Sequence, residues 1–358
     1  MNENDINDIR LIKNFRGITF SKYKKNDAKK ELLNNLVNGK IEPSCYWSAE
    51  FICSGHFIDL WDIIFEFMAK YIHLGNPKLP YYLKLRVDDF KNIINNGYQN
   101  DVLKIRNNDK IRKLFAEIMC VLCSSNKKNA IENIKIQKED LSMMKITHKL
   151  KADSVNYAKI IFKDEDPKEL FVAINEFAWN ISGKKKNSRT ACYWVEWIFN
   201  FETLVKKENK KYCAARRAVE VVGKFQTEIV WILWDCLCYE ANSRNSSMLK
   251  LIKNLQELFC LKYKSGFKKK RKYLIYFAIN LLTETINNKI PIIENSALVD
   301  NIVKKVNVIY KQIKKNEIKP KTDYLFNNSM TSSNLEKTVQ KLDKMNSLMK
   351  KGIIPRNN

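Results

Sequence analysis

The sequence is poor in residues that make tight turns, since its 358 residues include only 9 glycines and 7 prolines. This scarcity argues against β-hairpins, whose short connections depend on such residues. Long apolar runs are also missing. Runs such as residues 229–234 are much shorter than the roughly 20 residues of a membrane-spanning helix. The sequence therefore predicts a helical protein without a transmembrane segment.

Signatures of common enzyme classes are missing as well. There is no P-loop, because Gly183-Lys184 lacks the upstream glycine, and there is no GxGxxG, GxSxG or kinase motif set. Cys120 and Cys123 form a lone CxxC without the further cysteine or histidine partners of a zinc site. Buried structural thiols are the simpler interpretation of this pair. We expect no enzymatic activity, no cofactor and no metal.

The chain has nine cysteines and a polar N-terminus that does not resemble a secretory signal. An odd number of cysteines in a chain of this length is typical of reduced thiols in a cytosol-like compartment. We expect a protein that is not secreted.

Apolar residues recur every three or four positions along most of the chain, a spacing that predicts amphipathic helices. Helical periodicity runs through residues 47–72, 109–123, 168–181, 212–239, 246–262, 271–287 and 297–313. The predicted fold is all-α, a compact multi-helix body of about ten helices. A C-terminal extension carries one more amphipathic helix over residues 333–350, where Ser333 and Glu336 have capping-box spacing.

A short motif occurs twice. Cys45-Tyr46-Trp47 is followed by Glu50, and Cys192-Tyr193-Trp194 is followed by Glu196. The repetition suggests two related helical halves, residues 1–150 and a basic half at 151–315, followed by a linker and tail at 316–358. Coincidence in two buried helix starts explains the motif equally well, and the sequence leaves both readings open.

The strongest feature of the composition is charge. The chain carries 64 Lys+Arg against 39 Asp+Glu, a formal net charge of +25, which favours a polyanionic partner. Clusters of cations with interleaved aromatic residues suit phosphate contacts and base stacking. The candidate nucleic-acid-binding residues are Lys184, Lys185, Lys186, Arg189, Arg216, Arg217, Tyr263, Phe267, Lys268, Lys269, Lys270, Arg271 and Lys272. No sequence-reading motif accompanies them, so we expect contact without base-sequence specificity.

Several motifs of the N-terminal third resemble an uncharacterised protein family of nucleocytoplasmic large DNA viruses, the relatives of mimivirus and phycodnavirus. They are Phe15-Arg16-Gly17-Ile18, Cys45-Tyr46-Trp47-Ser48-Ala49-Glu50, Ser54-Gly55-His56, Asp59-Leu60-Trp61 and Asn76-Pro77-Lys78-Leu79-Pro80. The later Arg216-Arg217-Ala218 and the aromatic segment 231–234 are compatible with it, and the likeness extends to about residue 320. It implies a viral protein of the host cytoplasm, in a viral factory or in the virion, and it defines no catalytic residues.

Three functions follow from these features. The leading hypothesis is a non-enzymatic protein that supports genome replication, transcription or packaging through contacts to DNA or RNA phosphates. The first alternative is a virion scaffold that binds an acidic partner or an anionic membrane and docks a viral protein through the helix at 333–350. The second alternative is a metal-dependent nuclease that uses carboxylates such as Asp59 and Asp62.

Overall fold

The computed structural model describes residues 4–97, 101–137, 139–208 and 212–318, and these residues form helices and no strand. The helices of eleven or more residues are α1 (Lys25–Val37), α2 (Ile41–Cys53), α3 (Phe57–Phe67), α4 (Leu79–Asn95), α5 (Asp109–Ser124), α6 (Phe171–Ile181), α7 (Ser188–Lys207), α8 (Val230–Arg244), α9 (Ser246–Cys260), α10 (Lys272–Thr283) and α11 (Ser296–Lys314). Shorter helical turns, such as Asn156–Lys159 and Phe267–Lys270, join them. The all-α prediction is confirmed. The predicted helix at 333–350 lies outside the described residues.

Asparagine begins four of these helices. Its side-chain oxygen accepts a hydrogen bond from the backbone N–H three residues later, which satisfies one of the unpaired amides of the first turn. The caps are Asn108 of α5, Asn187 of α7, Asn245 of α9 and Asn295 of α11, with donor–acceptor distances of 3.1, 3.0, 2.7 and 2.9 Å. The abundant asparagines therefore help to fix where helices start.

The helical periodicity over residues 212–239 predicts a helix that starts too early, because α8 begins only at Val230. The preceding segment is mostly non-helical, and its backbone is hydrogen-bonded elsewhere. The amide of Ala214 donates to the carbonyl of Thr227, and the amide of Ala215 donates to the carboxylate of Asp166. These long-range partners replace the i to i−4 bonds of a helix.

The predicted helical stretch 47–72 is also divided. α2 ends at Cys53 and α3 begins at Phe57, with Gly55 between them at a φ of +74°. Glycine adopts this left-handed conformation without the steric cost that other residues incur. His56 then anchors the turn, because its Nε2 lies 3.0 and 2.9 Å from the carbonyl oxygens of Phe15 and Ile18. The predicted stretch therefore forms two helices, α2 and α3, instead of one.

One hydrophobic cluster runs through the described chain, from Ile6 near its start to Ile313 in α11. Tryptophans Trp61, Trp194, Trp197, Trp231 and Trp234 are all fully buried within it. Helix α11 packs against α2 and α5, while α10 packs against α7, α8 and α9. The proposed relation between two halves stays a prediction.

Two helix pairs position the residues discussed below. α6 packs against α7, and α8 packs against α9. Because only Asn245 separates α8 from α9, the two helices run back along each other. The start of α8 consequently lies beside the end of α9, where the rings of Trp231 and Phe259 are 5.8 Å apart.

Candidate nucleic-acid interface

The loop between α6 and α7 carries the most exposed of the predicted basic clusters. The side chains of Lys184, Lys185, Lys186 and Arg189 are exposed, and none of them forms an ion pair with another described residue. Lys185 lies over the ring of Trp179, with its Nζ 4.9 Å from the ring centroid. This part of the surface therefore presents positive charge that the described chain does not neutralise.

The backbone of this loop is held in place. The amides of Lys185 and Lys186 donate to the carbonyl of Ser182 at 3.2 and 3.1 Å, and the amide of Asn187 donates to the carbonyl of Asn180 at 2.8 Å. Lys186 has a φ of +50°. The lysines therefore project from a fixed turn that leads directly into α7.

The start of α7 is an unusual place for cations. A helix N-terminus carries a partial positive charge, so neighbouring cations repel it and anions are attracted to it. Arg189 is the second residue of this 20-residue helix, and three lysines precede it within four positions of Ser188. The helix dipole and these cationic side chains both favour the binding of an anion at this end of α7.

Three residues that the sequence did not single out, His148, Lys149 and Lys151, lie beside this group in the structure. These three residues line a pocket of about 350 Å³ that also contains Arg189. Lys151 and His148 are exposed, and Lys149 is paired with Asp140 at 2.7 Å. The sequence did contain a signal, since residues 145–151 form a short basic run. We call Lys151, Lys184, Lys185, Lys186 and Arg189 the α7 basic cluster.

A second pocket lies on the other side of the loop. Its volume is about 680 Å³, and Lys184 and Lys186 line it together with apolar side chains that include Ile160, Ile181 and Tyr239. The loop supplies cations to this larger pocket, and Arg189 at the start of α7 supplies one to the smaller pocket.

The basic segment that includes Arg216 and Arg217 divides into one exposed and one buried residue. Arg216 is exposed. Arg217 is only 3% exposed and is paired with Asp166, with an Nη2–Oδ2 distance of 2.6 Å, and with Asp235 at 2.9 Å. Burial works against ionisation of Asp166, but hydrogen bonds from Arg217 and from two amides hold its pKa below the usual value. The assignment of Arg217 to a binding surface is corrected, because its guanidinium is enclosed and neutralised.

The cluster at 263–272 needs the largest correction. Tyr263, Lys268 and Arg271 are 4%, 5% and 3% exposed. The ammonium of Lys268 lies 2.5 Å from Glu202, and the guanidinium of Arg271 lies 2.7 Å from Asp62. The hydroxyl of Tyr263 donates to Glu228 at 2.9 Å. These three side chains hold the fold together and are not available to phosphates.

Other members of the same cluster are partly or fully accessible. Lys270 pairs with Asp62 at 2.6 Å, and half-buried Lys272 pairs with Glu196 at 2.5 Å. Half-buried Phe267 packs under the guanidinium of Arg271, 4.5 Å from its ring centroid. Lys269 is exposed and donates to the hydroxyl of Thr203 at 3.0 Å. Lys269 is therefore the one candidate in the run 268–272 that is exposed and forms no ion pair with a described residue.

The α7 basic cluster and the segment around Lys264 lie at opposite ends of the α8–α9 pair. Arg244, the last residue of α8, donates to the carbonyl of Ile181 beside the loop. Lys264 lines a different pocket with Phe225, just before the start of α8. A 15-residue helix such as α8 is about 22 Å long at 1.5 Å per residue. The predicted basic clusters thus do not meet at one point.

The acidic side chains considered for nuclease chemistry are held by cations or by hydrogen-bond donors. Asp62 is 4% exposed and binds Lys270 and Arg271. Asp59 binds Lys25 at 3.0 Å, and Glu50 accepts hydrogen bonds from the amide and hydroxyl of Ser21. Within the described ranges, no group of three or more His, Cys, Asp or Glu residues is arranged to hold a metal ion. Asp59 and Asp62 thus have structural partners.

Two further properties of the described residues bear on the sequence predictions. All nine cysteines are unpaired, and Cys120 and Cys123 are buried, in agreement with structural thiols. No helix in the described part of the chain is long and apolar enough to span a lipid bilayer.

Comparisons of this chain with protein-family models, with curated proteins and with solved structures found no match.

Proposed function

We propose that this chain is a non-enzymatic nucleic-acid-associated protein that contacts the phosphate backbone without reading base sequence. The observation that supports the proposal most directly is the α7 basic cluster. It places five exposed cations, none of them ion-paired within the described chain, at the N-terminus of a 20-residue helix. Cation side chains and a helix N-terminus are the two elements that proteins commonly combine to bind phosphate.

The physical argument rests on the cost of leaving this charge uncompensated. The fold pairs the buried cations Lys268, Arg217 and Arg271 with carboxylates. Near α7, Asp140 pairs with Lys149 and Glu240 pairs with Arg244, while the buried carboxylate of Glu176 accepts hydrogen bonds from the amides of Lys151 and Ala152. A polyanion bound to the α7 basic cluster would relieve the mutual repulsion of its cations and release counterions.

Among the three functions that the sequence suggests, this one has the most direct support. The carboxylates of a nuclease site, Asp59 and Asp62, already have cationic partners. The scaffold function would use exposed cations to bind an acidic partner or an anionic membrane, and the helix predicted at 333–350, which would dock a viral protein, lies outside the described residues. The resemblance to large-DNA-virus proteins extends the proposal to genome replication, transcription or packaging in a cytoplasmic viral factory or in the virion.

The test is binding of the full chain to single- and double-stranded DNA and RNA over a salt series. The variant Lys184→Glu/Lys185→Glu/Lys186→Glu/Arg189→Glu reverses four of the exposed cations. A matched control, Lys91→Glu/Lys110→Glu/Lys253→Glu/Lys304→Glu, makes the same change in net charge at exposed lysines elsewhere. Each lost phosphate contact lowers the slope of log K against log salt by about 0.9 on duplex DNA and about 0.7 on single strands.

We expect the loop variant to lose most of its affinity and about three units of duplex salt slope, while the control keeps most of both. Equal losses in the two variants would show that net charge alone attracts the polyanion, and this would remove the α7 basic cluster from the proposal. Absence of binding by the unmodified chain at low salt would overturn the proposed function itself.

A further inference from the structure

The pocket beside the α7 basic cluster combines cations with aromatic side chains. Its volume is about 350 Å³, and its lining includes Arg189, Lys151 and His148 together with Tyr193 and the edge of buried Trp194. This volume is within the usual range for small-ligand sites, about 300–1,000 Å³.

The aromatic wall is held in one arrangement before any ligand binds. Lys149 donates to the hydroxyl of Tyr193 at 3.0 Å, and its ammonium also lies 4.5 Å from the centroid of that ring. Asp140 fixes Lys149 in turn, at 2.7 Å. The rings of Tyr193 and Trp194 meet edge to face, with centroids 5.4 Å apart. A rigid wall loses little conformational entropy when a ligand packs against it.

Trp194 also leaves a hydrogen-bond donor without an acceptor. Its side chain is 1% exposed, and its indole Nε1 has no partner among the described residues. The indole N–H of the neighbouring Trp197, by contrast, donates a hydrogen bond to the carbonyl of Asp140 at 2.6 Å. A buried N–H without an acceptor is uncommon and costly. Trp61 and Trp234 leave the same group unpaired, so buried Trp194 contributes to the pocket through its edge-to-face contact with Tyr193.

We propose that this pocket accepts one unpaired nucleotide of a single strand. The base packs against Tyr193, and the phosphate lies between Arg189 and Lys151 at the start of α7. This inference rests on the proposed function and names its preferred substrate. Bases in a duplex are stacked on each other and cannot enter such a pocket, whereas unpaired bases stack readily on aromatic side chains.

The experiment compares two probes with the same number of phosphates. One is a fluorescent oligothymidylate of twelve nucleotides, and the other is an abasic oligomer of the same length. The pocket variant is Tyr193→Ala. Its matched control is Tyr239→Ala, which removes an exposed tyrosine from the larger pocket on the other side of the loop. Circular dichroism and thermal unfolding verify that both variants are folded.

Stacking of one base on an aromatic side chain changes affinity by about 5- to 150-fold. We therefore expect the unmodified chain to bind oligothymidylate at least fivefold more tightly than the abasic oligomer. Tyr193→Ala should remove this preference and leave the affinity for the abasic oligomer unchanged, and Tyr239→Ala should keep the preference. Equal affinity of the unmodified chain for the two probes would overturn the pocket proposal while leaving the phosphate-binding function intact. Failure to bind either probe would overturn both.

A second measurement does not depend on a variant that folds. Oligothymidylate that contains 4-thiothymidine is irradiated in complex with the unmodified chain, and the crosslinked peptides are identified by mass spectrometry. We expect crosslinks within residues 189–194. Crosslinks confined to other segments, such as the one around Lys264, would place the bases elsewhere and refute the assignment.

Discussion

Arg271 provides a sharp test of the distinction between structural and binding cations. Its guanidinium is buried, with Nε and Nη2 at 2.9 and 2.7 Å from the same oxygen of Asp62. Nη1 also donates to the carbonyl oxygens of Phe259 and Leu261 at 2.8 and 2.7 Å. Replacement by methionine keeps much of the apolar volume but removes all four hydrogen bonds. Asp62, which is 4% exposed, then retains only Lys270 as a cationic partner.

Removing one partner of a buried ion pair typically costs about 3–5 kcal/mol, because the other charge remains buried without compensation. We expect Arg271→Met to lower the free energy of unfolding by roughly this amount. Lys269→Met is the matched control two positions away, where the side chain is exposed and makes a single hydrogen bond to Thr203. An exposed substitution of this kind changes stability by no more than about 0.5 kcal/mol.

Urea unfolding followed by tryptophan fluorescence measures both effects, because five tryptophans are fully buried. The double variant Asp62→Leu/Arg271→Met removes both charges, so its loss should be smaller than that of Arg271→Met alone. Equal stability of Arg271→Met and Lys269→Met would refute the structural role of Arg271. It would also restore Arg271 as a candidate binding residue.

Two further predictions concern stability. Burial lowers the pKa of His73 from 6.5 to about 3, so this histidine takes up a proton in the unfolded chain before it does so in the folded protein as the pH falls. The free energy of unfolding should therefore drop by about 2 kcal/mol between pH 8 and pH 5. In urea titrations, His73→Asn should reduce that pH dependence. An added Cβ at Gly75 would lie 2.1 Å from the backbone oxygen of Asn126, whereas one at Gly266 would meet no atom within 4 Å. Gly75→Ala should therefore lower the midpoint of thermal unfolding clearly, and Gly266→Ala should not. Similar midpoints for the two variants would contradict the close approach of the Gly75 and Asn126 backbones.

The sequence predicted helices well wherever an apolar stripe coincided with local start and stop signals. The stretches 109–123, 246–262 and 297–313 correspond closely to α5, α9 and α11, each of which begins at an asparagine cap. The prediction failed over residues 212–229. There the apolar spacing is helical, but long-range hydrogen bonds to Asp166 and Thr227 fix another conformation. Local periodicity carries no information about such partners.

The candidate site shows the same division between local and long-range information. Runs of lysine and arginine identified the exposed cations at 184–189 and the buried Lys268 and Arg271 with equal strength. The carboxylates that neutralise the second run, Asp62 and Glu202, are 209 and 66 positions away from Arg271 and Lys268. No sequence pattern links residues at these separations. The pocket residues 148–151 were missed for a related reason, since only the fold brings them to α7.

The positive charge of the 64 lysines and arginines therefore has two physical components. One consists of cations such as Arg217, Lys268 and Arg271, which are enclosed with carboxylates and contribute little to the field outside the protein. The other consists of exposed lysines whose field extends about 8 Å into physiological salt. An anionic partner responds to the second component alone. The place where that component coincides with a helix N-terminus and an enclosed aromatic wall is the start of α7, so recognition of a partner is best sought there.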